Sequence, residues 1–171
     1  MTDMETLLRA TADRLAIQDV LCRYARGIDR CDVDVLRGVW WSGARADYGN
    51  GEVDAVDWSG DVVIALATMR RTQHFLGNML IELDGDQATA ETYCRAYHEV
   101  DGADGPIEME VGGRYLDRLE RRGGEWRIAH RRYVHDWNRN IASTAEWSGP
   151  MYGNLKRVGA RRPDDPSYTG A

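Results

Sequence analysis

Histidine and carboxylate side chains are the pair best suited to moving a proton near neutral pH, and this chain places one of each where they could meet. His74 stands in the stretch Arg71-Thr72-Gln73-His74-Phe75-Leu76-Gly77-Asn78, at the entry to a predicted strand continued by Met79-Leu80-Ile81. An imidazole at the start of a core strand either donates to a backbone carbonyl or finds a partner and does chemistry. The partner candidate is Asp29, at the end of the first long predicted helix. A carboxylate there opposes the helix macrodipole, so something other than helix stability should hold it. A histidine would suffice, and an imidazole so held can act as a general base.

The elements that must position these two residues are read from periodicity. Ile17, Val20, Leu21, Tyr24 and Ile28 fall at helical spacing and predict a helix over about 11–29. Asp32 or Asp34 can cap a second short helix carrying Val33, Leu36, Val39 and Trp40. Residues 44–48 read as a short strand ending at Gly49-Asn50-Gly51, and Ser59 opens a third helix from 61 to about 70 with Val63, Leu66 and Ala67 inward. Four long strands follow, at 72–83, 88–100, 108–120 and 126–137, separated by Gly-rich and Asp-rich hairpin turns. On the second of them Ala88, Ala90, Thr92, Cys94 and Ala96 form a small-residue face that leaves room for a helix or a cavity. Its other face, with Tyr93, Arg95 and Tyr97, has the texture of a subunit interface. Gly77 and Gly112-Gly113 interrupt their strands as bulges do in a curved sheet. Helices first and antiparallel strands after predict an α+β fold, one domain over 1–137, with 138–171 as an extended tail.

Composition narrows the partners. The formal charge of −6 argues against nucleic acid, which needs a positive surface. Three cysteines without a close pair argue against a disulfide framework and for a reducing cytoplasm. No metal-ligand spacing stands out, and the longest apolar run, 62–69, is too short to cross a bilayer.

Several short motifs point further. They are Thr72-Gln73-His74-Phe75-Leu76-Gly77, Cys94-Arg95-Ala96-Tyr97-His98, Gly27-Ile28-Asp29 together with Arg131, and Gly124-Glu125-Trp126-Arg127-Ile128. Over about 10–137 the chain resembles the SnoaL-like branch of the NTF2-like (cystatin-like cone) superfamily. Within it, the chain is similar to scytalone dehydratase, bile-acid 7α-dehydratase and hexachlorocyclohexane dehydrochlorinase. The resemblance implies a cone in which N-terminal helices close a strongly curved antiparallel sheet. It also implies a site made from His74, Asp29, Tyr24, Tyr48, Arg131 and His98. Scytalone dehydratase has a tyrosine directly before its aspartate, where this chain has Ile28; Tyr24, one turn earlier, can supply the phenol.

The mechanism so implied has Asp29 fixing the tautomer of His74 and raising the basicity of its other nitrogen to a pKa near neutrality. Tyr24, Tyr48 or Arg131 would stabilise an enolate oxygen or protonate a departing hydroxyl. Each also has a structural alternative: a core tyrosine with a satisfied hydroxyl, a solvated His98, or an inward Arg131 needing an anion such as Asp29, a substrate oxygen or another carboxylate. The expectation is a lyase, most simply a dehydratase, that needs no cofactor or metal and acts on a hydroxylated aromatic or polycyclic molecule. Loss of chloride, or of formaldehyde from a lignin-type aryl diol, uses the same base and acid. An isomerase or polyketide cyclase, the scaffold β-subunit of a ring-hydroxylating dioxygenase, and a binding protein without turnover are the alternatives. The expected partners are a small apolar substrate and further copies of the chain, as a dimer or trimer through the outer sheet face, with no nucleic acid and no membrane.

Overall fold

The structure, a computed structural model, describes residues 2–169. Helix α1 (Asp3–Asp29) opens on a capping box: the Thr2 hydroxyl accepts from the Glu5 backbone N–H, and the Glu5 carboxylate accepts from that of Thr2. This local device explains why the helix starts well before the predicted residue 11. Its first turns expose Met4, Leu7 and Leu8, so no buried stripe marks them, and burial begins at Ile17.

Asp32 caps the short α2 (Val33–Gly38), accepting from the Val35 N–H at 3.2 Å. Trp40, expected on that helix, instead begins strand β1 (Trp40–Asp47). The glycine turn after Tyr48 leads into β2 (Glu52–Asp54), an edge strand that three residues are too few to announce. Helix α3 (Ala55–Ala67) is capped by Asp54, which accepts from the N–H groups of Val56 and Asp57. Ser59, predicted to open this helix, lies inside it. Its buried hydroxyl donates to the Ala55 carbonyl and accepts from the Trp40 indole at 3.1 Å. Leu66 faces the core as expected, but Ala67 is exposed.

The four long strands are β3 (Arg71–Asp84), β4 (Gln87–Gly102), β5 (Gly105–Arg122) and β6 (Glu125–Ala142). They pair antiparallel in sequence order, and β1 adds to β6 in parallel, giving a curved six-stranded sheet in the order β2-β1-β6-β5-β4-β3. Register shifts fall at Leu76/Met79 around Gly77 and at Gly112/Gly113, where the glycines predicted bends. Alternation on β4 is as read: Ala88, Ala90, Thr92, Cys94 and Ala96 are buried, while Thr89, Tyr93 and Arg95 face out. The small inward residues join Ile17, Leu21, Tyr24 and Ile28 of α1 in one core.

The segment after residue 137 is not simply an extended tail. Strand β6 continues to Ala142, a short α4 (Gly149–Tyr152) follows, and residues 160–168 return to the junction of α1 and α2. Among the described residues no helix is long and apolar enough to cross a membrane.

Gly113 carries a sharp test of this packing. A Cβ there would run into the Val134 carbonyl oxygen and crowd the Tyr133 ring. Since a backbone atom cannot swing aside, Gly113→Ala should destabilise the fold by about 1–3 kcal/mol, read as a lower denaturant midpoint. The same change at Gly38, whose Cβ would meet nothing within 4 Å, should not.

Candidate active site

Asp29 is the last residue of α1, and His74 is the fourth of β3, the edge strand of the sheet. The two meet by a double contact. One Asp29 oxygen accepts from the His74 backbone N–H at 2.7 Å, and the other lies 2.8 Å from ring Nδ1. An edge strand leaves alternate N–H groups without a sheet partner, and here the carboxylate takes one of them and the ring together. Hydrogen bonding to His74 and its charge pull the Asp29 pKa below the ordinary value although burial pushes it up. The carboxylate is therefore ionised at neutral pH and acts only as acceptor. Nδ1 must carry the proton, which leaves Nε2 as the free base.

His74 lines a cavity of about 200 Å³ under the helices. Tyr24, Tyr48, His98, Tyr115 and Tyr133 supply its polar edges, and Ile28, Val62, Leu66 and Val111 its apolar wall. The hydroxyls of Tyr24 and Tyr48 are 2.7 Å apart, and Tyr48 stacks on Trp58 with ring centroids 4.3 Å apart. Burial pushes the phenols of Tyr24, Tyr48 and Tyr115 upward, so each stays protonated and can donate.

Arg131 lies one layer behind. It is fully buried, grips Asp117 through two 2.7 Å hydrogen bonds, and places its guanidinium 3.9 Å from the Tyr24 ring centre and 4.0 Å from that of Tyr115. Its charge counters part of the burial effect on the Tyr24 and Tyr48 hydroxyls. His98, on the neighbouring strand β4, meets the His74 ring edge-on at 5.4 Å. Desolvation, and the His74 charge after it, lower its pKa to about 4, so it is neutral at pH 7; its buried Nδ1 has no protein partner. Among the described residues no group of three or more His, Cys, Asp or Glu is arranged to hold a metal ion.

Residues 9–132 match the SnoaL-like domain. The chain belongs to this SnoaL-like family. Its fold is the cystatin-like, NTF2-like cone. Hexachlorocyclohexane dehydrochlorinase LinA-type3 from Novosphingobium barchaimii superposes with a TM-score of 0.72 at 20% identity, covering 84% of this chain and 99% of that one. A protein provisionally named a scytalone dehydratase, from Novosphingobium aromaticivorans, gives 0.69 at 17% identity, with 83% and 95% covered. One from the same organism, provisionally named an aromatic ring hydroxylase, gives 0.67 at 25%, with 77% and 94% covered. No curated protein sequence matches the chain.

Of the six residues singled out in this SnoaL-like sequence, His74, Tyr24, Tyr48 and His98 line one cavity, and Asp29 stands directly behind His74. Arg131 does not line it, and its anion, left open by the sequence, is Asp117 rather than Asp29 or a substrate oxygen. Sequence reasoning passed over Asp117, Tyr115 and Tyr133. Strand alternation puts Tyr133 on the face of Arg131 in β6 and Tyr115 on the face of Asp117 in β5, and that was the available signal.

Two outcomes follow from this electrostatic arrangement. Arg131→Met leaves Asp117 charged and alone in the core, and should cost about 3–5 kcal/mol; adding Asp117→Leu should recover most of the lost thermal midpoint. His98 is held neutral when folded but takes up a proton once exposed. Stability should therefore fall as pH drops from about 6.5 to about 4, with His98 contributing roughly 2–3 kcal/mol. His98→Asn should flatten that part of a urea-midpoint profile. A profile of equal slope would show that His98 is not the group responsible.

Proposed function

We propose that this SnoaL-like chain is a cytoplasmic, cofactor-independent lyase that eliminates water from a small hydroxylated aromatic molecule. The observation that carries the reading is the Asp29–His74 pair facing the same cavity as the hydrogen-bonded phenols of Tyr24 and Tyr48. A base of fixed tautomer and a protonated acid then flank one apolar space.

In the proposed reaction, Nε2 of His74 removes a proton from a carbon made acidic by an adjacent carbonyl or ring. The electron pair of that C–H bond forms the new C=C bond, and the C–O bond to the hydroxyl breaks. A phenol of the Tyr24–Tyr48 pair gives the departing hydroxide its proton, so water leaves. Return of the proton from imidazolium to phenolate through solvent restores both groups. Asp29 stabilises the imidazolium in between, and the Arg131 charge eases the transient phenolate. Cavity size supports the substrate class: an apolar cavity of about 150 Å³ admits benzene, so about 200 Å³ suits one substituted ring better than a fused polycycle. The same pair would serve loss of chloride or formaldehyde, or an isomerisation, since each begins with a proton moved by the same base. We also propose a homo-oligomer through the outer sheet face, where Phe75, Leu80 and Tyr93 are exposed together on adjacent strands.

The test is a panel of hydroxylated aromatic compounds followed by absorbance for new conjugation. On the compound turned over, His74→Ala should lower kcat by about 10²–10⁴-fold. Asp29→Asn should fall in a similar range, because its amide NH₂ must face one of the two His74 donors and turn the ring to the wrong tautomer. Full activity in His74→Ala would rule out the general base, and full activity in Asp29→Asn would separately rule out the orienting carboxylate.

A further inference from the structure

The returning C-terminal segment passes the Asp29–His74 pair, and one of its side chains contacts the backbone of Asp29. Nη1 of Arg161 donates to the backbone carbonyl of Asp29 and, at 2.7 Å, to the hydroxyl of Thr72; Nη2 donates to the Leu66 carbonyl at 3.3 Å. Those three acceptors belong to the last residue of α1, the second residue of β3 and the last turn of α3. We propose that Arg161 is the positioning residue of the catalytic pair, fixing the end of α1 against the start of β3 so that the Asp29 carboxylate meets the His74 ring. The inference rests on the functional reading above for what the pair does, though not for the contact itself.

Three observations support it. The Asp29 carbonyl is one of the terminal helix carbonyls without an intrahelical partner, and a guanidinium there also complements the negative end of the helix dipole that the Asp29 carboxylate opposes. Thr72 is buried and lies two residues before His74, so its side chain and the imidazole share one face of β3. Tethering the Thr72 hydroxyl and the Asp29 carbonyl to the same nitrogen therefore sets the spacing that the double Asp29–His74 contact needs.

The guanidinium is itself delivered by a hook held by ion pairs and hydrogen bonds. Asp165 pairs with Arg30 at 2.8 Å and accepts from the Ala160 N–H at 2.9 Å. The Arg162 N–H donates to the Arg30 carbonyl, the Arg162 side chain reaches Asp32 and Asp34, and the Tyr168 hydroxyl donates to Asp32 at 2.7 Å. Arg162 thus anchors the hook without touching the pair, which makes it the natural control.

The experiment is proton NMR of the full chain in water, following the downfield Nδ1–H resonance of His74, assigned by its absence in His74→Gln. Arg161→Ala should lose or broaden that signal well below its unfolding temperature, and methylguanidinium should restore it. Arg161→Lys, with one shorter donor group, should give a weakened signal. Arg162→Ala should lower the thermal midpoint yet keep the resonance. On a substrate from the panel, Arg161→Ala should reduce kcat about 10- to 100-fold with KM little changed. A wild-type signal in Arg161→Ala or in Arg161→Lys, or equal loss in Arg162→Ala, would overturn the proposal. The resonance needs no turnover, so a panel without a substrate would count against the lyase reading alone.

Discussion

One carboxylate holds together parts of the chain that are otherwise brought together only by the fold. Asp29 ends a helix of 27 residues, and His74, 45 positions later, is the fourth residue of a strand. By accepting from both the backbone and the ring of His74, Asp29 serves as an edge cap for β3 and as the group that orients the imidazole. The two roles reinforce each other. The backbone contact pins the carboxylate at low entropic cost, because β3 is already fixed by its ladder with β4. The ring contact then needs no further ordering. Being ionised and mostly out of solvent, the carboxylate is worth more to an imidazolium than it would be in water.

The opposite side of the cavity follows a different logic. Arg131 and Asp117 are a buried ion pair, an arrangement that by itself adds little stability compared with apolar residues of equal size. Its consequence lies in what surrounds it. Tyr24 and Tyr115 stack on the guanidinium, and Tyr24 reaches Tyr48 through its hydroxyl. Burial alone would make these phenols very poor acids, and a fixed positive charge behind them offsets part of that. The site is thus polarised, with a negative charge behind the imidazole and a positive one behind the phenols.

Much of this was legible from residue types and periods. The β4 alternation, the glycine bends and the inward face of α1 follow from local rules that the structure obeys, whereas Asp29 and His74 could be named from the sequence only as candidates to meet. What escaped was set by contacts distant in sequence or by very short signals. The first turns of α1 rest on a capping box without a buried stripe, and β2 has three residues. Trp40 reads as helical because Leu36 stands one turn before it, yet its indole is claimed by Ser59 on α3 and its backbone by the sheet. The partner of Arg131 could not be chosen among several carboxylates, since the choice depends on the β5–β6 register that sets Asp117 opposite it. The C-terminal segment looked structureless because its order comes from ion pairs to Arg30, Asp32 and Asp34, none of which has a period.

The cavity itself is a consequence of what β4 leaves out. Cys94 and Ala96, at the His74 end of the strand's small-residue face, line the cavity with side chains too short to fill it, and larger residues there would add burial at about 25 cal/mol per Å². One polar atom of the lining has no protein partner, His98 Nδ1, two residues further along the same strand. Each such group typically costs about 1–3 kcal/mol. A core selected for stability alone would have filled the first deficit and removed the second. Both deficits fall beside His74, where a molecule with an apolar ring and a polar handle would relieve them together.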